Sequence, residues 1–176
     1  MRHLPNILSA TRLLIAVPLV WAISTDRRTL AIALGMAALV SDALDGFIAR
    51  RAGADSELGR VLDPVADKVL AAAVGLTLML RQVLPVWYVA AIVGRDVLIV
   101  VAGAVLARRV GRVPPSLPVG KVAATGIGIV LLAAIIGVPG AVLQWLAVGS
   151  TMLLAWSLII YAARLRQLVR RRNLSN

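Results

Sequence analysis

Six stretches of predominantly apolar residues, each about as long as the 20 residues a helix needs to cross a bilayer, divide this chain almost from end to end. They run roughly over 7–24, 29–49, 58–80, 85–107, 120–138 and 140–163. Backbone polar groups in hydrocarbon must be satisfied within their own segment, which at this length means helices. The predicted fold is therefore all-α, a polytopic membrane protein with six transmembrane helices forming a single domain over residues 1–176. Composition agrees: 60% of the residues are apolar, only 15% are charged and the mean hydropathy is +0.91, values that exclude an ordinary soluble globule. There is no cysteine, which excludes disulfides, thiolate metal sites and cysteine nucleophiles. The connections are short and none is long enough to hold a soluble domain. The first span lacks a basic leader followed by a small-residue cleavage site, so it reads as a span and not as a signal peptide. No repeat of 20–50 residues is evident.

The net charge of +11 is explained by where it sits. All of the 19 Lys and Arg except Arg27, Arg28 and Arg81 fall on the side that also holds both termini. The positive-inside rule makes that side cytoplasmic. Trp21, Trp87 and Trp145 fall near span ends on the other side, where an outer aromatic belt is expected. The basic residues are parcelled out at span ends with no aromatic platform among them. That pattern suits an anionic lipid surface, or a phosphorylated substrate lying at it, better than nucleic acid. Arg170, Arg171 and Arg172 read as topology determinants.

Four aspartates break the apolar pattern. Asp42 and Asp45 lie in the second span and Asp63 and Asp67 in the third. Each costs about 2.5–3.5 kcal/mol on insertion scales, or roughly 10 kcal/mol together, so something cationic must offset them. Spacings of three and four residues put each pair on one helix face. Gly46, Ala49 and Gly59 continue those faces with small side chains that let backbones approach and leave room for a ligand. The short loop from Arg50 to Glu57 predicts antiparallel neighbours whose carboxylates converge near the cytoplasmic end. Pro64 denies the carbonyl of Arg60 its hydrogen bond and loosens the helix there. Clustered carboxylates without His or Cys form a hard oxygen site suited to Mg2+ or Mn2+, and two such ions are a known device for displacement at phosphorus. From residues alone, two other readings stay open: an ion-pair network with Arg50, Arg60, Lys68 and Arg95, and an ion-coupled transporter.

The full string Asp42-x2-Asp45-Gly46-x2-Ala49-Arg50-x8-Gly59-x3-Asp63-x3-Asp67 resembles, at every fixed position, the signature of the CDP-alcohol phosphatidyltransferases. The resemblance extends over most of the chain and implies transfer of a phosphatidyl group from CDP-diacylglycerol to an alcohol with release of CMP. It implies that Asp42, Asp45, Asp63 and Asp67 surround a two-metal centre and that Asp67 is also the general base. It places Gly46, Ala49, Arg50 and Gly59 in the motif that receives the CDP-lipid, with Ser56 and Asn6 as further contacts. It also implies a homodimer.

From Asn6 to about residue 132 the chain is most similar to the phosphatidylglycerophosphate synthase and cardiolipin synthase branches. The carriers are Ser56-Glu-Leu-Gly-Arg-Val-Leu-Asp-Pro-Val-Ala-Asp-Lys68, Gly94-Arg95-Asp96 and Gly120-Lys121. Arg95 lies near mid-span, where a charge needs a partner. Asp96, the next residue, points about 100° away on a helix and is expected to be a poor one. Arg95, Lys121 and Arg164 or Arg166 read as an acceptor-phosphate pocket, with snorkelling to lipid head groups the other reading of the last two. The first expectation for the acceptor is glycerol 3-phosphate; phosphatidylglycerol, which also carries a phosphate, is the alternative. Arg-Asp resembles the cardiolipin branch, whereas the short chain points to the other. His3, Trp156 and Tyr161 read as interfacial or packing residues.

Overall fold

A computed structural model describes the backbone of residues 4–52, 57–110 and 118–173, and the side chains of 14–41, 66–103, 118–164 and 166–167. Six α-helices follow one another: α1 Leu4–Ser24, α2 Arg28–Ala52, α3 Glu57–Leu80, α4 Val86–Val110, α5 Pro118–Ile136 and α6 Gly140–Asn173. Their limits agree with the expected spans to within a few residues, except that α6 continues through the basic run to Asn173 where an end near 163 is expected. No strand occurs among the described residues. Among them, α4, α5 and α6 each contain a stretch long and apolar enough to cross a membrane. The apolar runs of α1 and α2 are shorter, Leu14–Ser24 and Arg28–Ser41. In α2 and α3 the motif charges interrupt the hydropathy; α3 nevertheless has 24 residues, about 36 Å of helix at 1.5 Å per residue.

The packing has α1 laid along both α2 and α3, α6 along both α5 and α4, and α5 touching α2 and α3 as well. Among the described residues α2 and α3 are not a principal packed pair. α1 and α5 each contact both helices, and the connected ends of α2 and α3, where the short connection predicts direct neighbours, lie outside the residues whose side chains are described. The core is built where small residues admit close approach: Ala22, Ala123 and Ala147 are wholly buried, with Leu19, Val74, Leu78, Tyr88, Ile92, Val130 and Leu154 around them. The outward faces are apolar too, with Leu80 78% and Trp145 76% exposed, as in a bundle whose outer solvent is lipid.

Two hydrogen-bonded residue pairs define how α4 and α6 lie together. Tyr88 Oη donates to Ser150 Oγ at 3.0 Å, and seven residues later Arg95 bonds to Ser157. The offset is 62 residues at both rungs, so the two helices run parallel and in register. That requires one intervening crossing, which α5 supplies.

At the bundle end holding the α1–α2, α3–α4 and α5–α6 connections, α1, α3 and α5 stop the same way. Asp26, Gln82 and Gly137 have φ of 55°, 57° and 73°. In each case the next residue's N–H reaches back five positions: Arg27 to Ala22, Val83 to Leu78 and Val138 to Ala133, at 2.9, 2.9 and 3.2 Å. These are Schellman caps. Only Gly137 uses the residue that accepts this backbone without strain, and a Cβ there would stand 2.6 Å from an Arg28 guanidinium nitrogen.

Candidate active site

The four motif aspartates fall on α2 and α3 at the expected helical spacings, in the halves of those helices away from the Schellman-capped end. The helix of α3 runs through Pro64. Of the four side chains only that of Asp67 is described; it is half-buried. Asn6, Asp42, Asp45, Gly46, Ala49, Arg50, Gly59 and Asp63 are placed by backbone alone, and Ser56 lies outside the described residues. Among the described residues no group of three metal-ligating side chains occurs. The donor set the backbone brings to these faces is all carboxylate, with no Cys in the chain and its single His at position 3. That set fits a hard divalent cation.

Beside Asp67 begins a polar network that the sequence reveals only in part. Arg95 is 7% exposed although it sits in the middle of the apolar stretch of α4. Its Nη1 donates to Asp96 Oδ1 at 2.7 Å. This overturns the expectation that Asp96 is a poor partner: the two Cβ directions diverge, but the long arginine stem folds back to the short neighbouring carboxylate. The same oxygen lies 3.0 Å from Nζ of Lys68 on α3. That ammonium is shielded from solvent and forms no aligned hydrogen bond, so its contact is an ion pair. One carboxylate oxygen thus joins two cations from adjacent helices, and α3 is tied to α4 one residue after Asp67.

The other edge of Arg95 meets α6. Nε and Nη2 donate to Ser157 Oγ at 3.3 and 3.1 Å, and Ser157 Oγ donates to the Leu154 carbonyl at 3.0 Å. On α5, a Cβ at Gly120 would lie 3.1 Å from Tyr161 Oη and 3.7 Å from Arg95 Nη2. Tyr161, which the sequence suggests as an interfacial anchor, therefore turns inward beside Arg95; Trp156 does face outward, 62% exposed. Of the expected phosphate-binding residues, Arg95 is at the centre of the network. Arg164 is half-buried and lies seven residues past Ser157, on the same face of α6. Lys121 follows Gly120 and is exposed.

Ser157 and Lys68 are the residues the expected site lacks. Their signals are a serine repeating at seven residues on α6 (Ser150, Ser157) and a lysine next to the last motif aspartate. A cavity of about 460 Å³ opens at the opposite end of the bundle, among Gln82, Trp87, Gln144 and apolar neighbours. Its lining holds no charged side chain, so it offers nothing to a diphosphate.

A helical membrane bundle carrying this spaced carboxylate string on consecutive helices defines a class, and comparison with known proteins identifies it. A model of the CDP-alcohol phosphatidyltransferase family matches residues 2–169, and the chain belongs to that family. The cardiolipin synthase (CMP-forming) of Streptomyces coelicolor is 37% identical over 188 residues, covering 95% of this chain and 84% of the relative. Two proteins named CDP-diacylglycerol--glycerol-3-phosphate 3-phosphatidyltransferase are also similar. The one from Aquifex aeolicus is 27% identical over 65% of this chain and 66% of its own length. The chloroplastic one from Oryza sativa is 37% identical over 60% of this chain and 32% of its own length.

Proposed function

We propose that the protein transfers the phosphatidyl group of CDP-diacylglycerol to the hydroxyl of a phosphate-bearing glycerol alcohol. The observation that carries this is the eight-residue motif on two consecutive helices of a chain that the family model matches almost throughout. The acceptor oxygen attacks the phosphatidyl phosphorus, the bond from that phosphorus to CMP breaks, and the hydroxyl proton passes to the Asp67 carboxylate. Asp42, Asp45, Asp63 and Asp67 would hold two Mg2+ or Mn2+ ions, which when bound supply Lewis-acid neutralisation of the diphosphate and of the departing CMP. A carboxylate fully engaged by cations accepts a proton poorly, so the role of base favours Asp67 binding the ions least directly. Gly46, Ala49, Arg50 and Gly59, with Ser56 and Asn6, are assigned to receive the CDP group, and the acyl chains stay in lipid. Arg95, with Arg164 and Lys121, receives the acceptor phosphate.

Both candidate acceptors, glycerol 3-phosphate and phosphatidylglycerol, present a phosphate to that pocket. The sequence alone favours glycerol 3-phosphate. A relative that matches nearly the whole chain carries the cardiolipin synthase name, which favours phosphatidylglycerol. The deciding experiment supplies CDP-diacylglycerol and a divalent cation to the purified protein and offers the two acceptors separately. Phosphatidylglycerophosphate as the only product assigns glycerol 3-phosphate, and cardiolipin as the only product assigns phosphatidylglycerol. Failure of CMP release with either removes the proposal and returns weight to ion-coupled transport.

We further propose that the motif end faces the cytoplasm and that the protein works as a homodimer. The absence of native cysteine makes the orientation directly testable. In intact cells, a cysteine at Gln82 is expected to react with an impermeant maleimide and one at Arg170 is expected not to. The reverse pattern inverts the topology.

A further inference from the structure

Ser157 is wholly buried, and its hydroxyl is used to capacity. A hydroxyl has one donor and two acceptor positions; here it donates to the Leu154 carbonyl and accepts from both Nε and Nη2 of Arg95. Serines in spans commonly bond back to their own helix, but a serine that also accepts both donors along one edge of a guanidinium fixes the plane of that group. Asp96 holds Nη1. Three of the five guanidinium N–H groups are thereby engaged by described residues, and these bonds leave one N–H on each terminal nitrogen for a ligand. Two parallel N–H donors on the terminal nitrogens are the fork that grips a phosphate bidentately. Nη2 borders Gly120, where the Tyr161 hydroxyl also stands. Two cations, Arg95 and Lys68, share the single Asp96 carboxylate, so these three groups sum to a positive charge.

We propose that Ser157 is a positioning residue for the acceptor phosphate: its hydroxyl clamps the inner edge of Arg95 so that the terminal fork is held toward the ligand before the ligand arrives. Arginine stems carry large rotamer freedom, and a group already held in its binding geometry loses less of it on binding. This inference rests on the reading of Arg95 as a phosphate ligand, and it concerns only how that ligand is oriented.

The test uses the full-length protein with Mg2+ and CDP-diacylglycerol, and measures CMP release against the concentration of glycerol 3-phosphate and, separately, of phosphatidylglycerol in mixed micelles. Ser157→Ala is expected to raise the acceptor KM about tenfold, the scale of one hydrogen bond to a charged group. Its kcat and its KM for CDP-diacylglycerol are expected to stay within about threefold of the parent. Ser157→Thr, which keeps the hydroxyl, is expected to recover most of the acceptor KM, and Ser157→Cys serves if the threonine methyl prevents folding. In an Arg95→Gln background, adding Ser157→Ala is expected to change nothing further. An unchanged acceptor KM in Ser157→Ala overturns the proposal. So does a loss shared equally between both substrates, or an effect that persists without Arg95. If Arg95→Gln itself leaves the acceptor KM unchanged, the phosphate reading of Arg95 falls and the proposal with it. If Arg95→Gln raises that KM and Ser157→Ala does not, the reading stands and only the role of Ser157 is lost.

Discussion

The two ends of the bundle handle charge in opposite ways. At the Schellman-capped end three of the four charges Asp26, Arg27, Arg28 and Arg81 have a partner close to hand. Asp26 pairs with Arg81, whose Nη1 also donates to the Ser24 carbonyl at 3.4 Å. Arg27 lies over the Trp21 ring at 4.7 Å, and Arg28 rests against Gly137. These groups sit at or between helix termini, and Asp26 is 76% exposed. Toward the motif end, charges lie within helices instead of between them, and Arg95 and Lys68 converge on one oxygen of Asp96 from different helices. The first arrangement closes a surface. The second holds charges that the membrane interior penalises, as a site does when a charged reactant must enter it.

That contrast can be tested by removing comparable charges at each end. The largest effect is expected at the motif: Asp67→Asn should lower CMP release by about 10³-fold or more if it removes the base while leaving CDP-diacylglycerol bound, and chelation of divalent cations should abolish release reversibly. An Asp67→Asn protein with unchanged turnover would remove Asp67 as base. Next, Asp96→Asn leaves Arg95 and Lys68 without their shared carboxylate and should cost about 2 kcal/mol of stability. Asp26→Asn, which breaks an exposed pair, should cost less than about 1 kcal/mol. Thermal unfolding in one detergent compares the two, and equal losses would erase the distinction between the ends. Two substitutions at the caps are expected to move stability in opposite directions. Gln82→Gly relieves a left-handed residue and should stabilise by about 1 kcal/mol. Gly137→Ala should destabilise by about 1–2 kcal/mol, because it introduces that strain and drives a Cβ into Arg28.

The helices and the motif were legible in the sequence because each depends on local spacing: apolar runs set the spans, and three- and four-residue intervals set the carboxylate faces. What depended on helix order was not. That α1 and α5 each contact both α2 and α3 follows from how the helices are arranged in space, which no local spacing reveals. Asp96 was discounted from Cβ direction, which ignores how far an arginine stem can bend. Ser157 lies 62 residues from Arg95, and no periodicity within α6 alone names its partner. The equal separation of Tyr88 from Ser150 does, once α4 and α6 are known to be parallel. The long basic extension of α6 was missed because hydropathy ends a span where the lipid ends, whereas the helix itself continues into the headgroups.

The paired rungs between α4 and α6 also act as a depth gauge. Tyr88 stands next to Trp87 at the entrance of α4, with its ring edge against the indole at 5.8 Å, and Arg95 follows seven residues later, about 10 Å deeper at 1.5 Å per residue. Sliding α6 by one residue would turn both serines about 100° away and leave a tyrosine hydroxyl and a guanidinium edge unpaired in hydrocarbon, where each lost bond is costly. The guanidinium is thereby set at a fixed depth below the Trp87 ring, so whatever it binds is held at one level of the bilayer and no other.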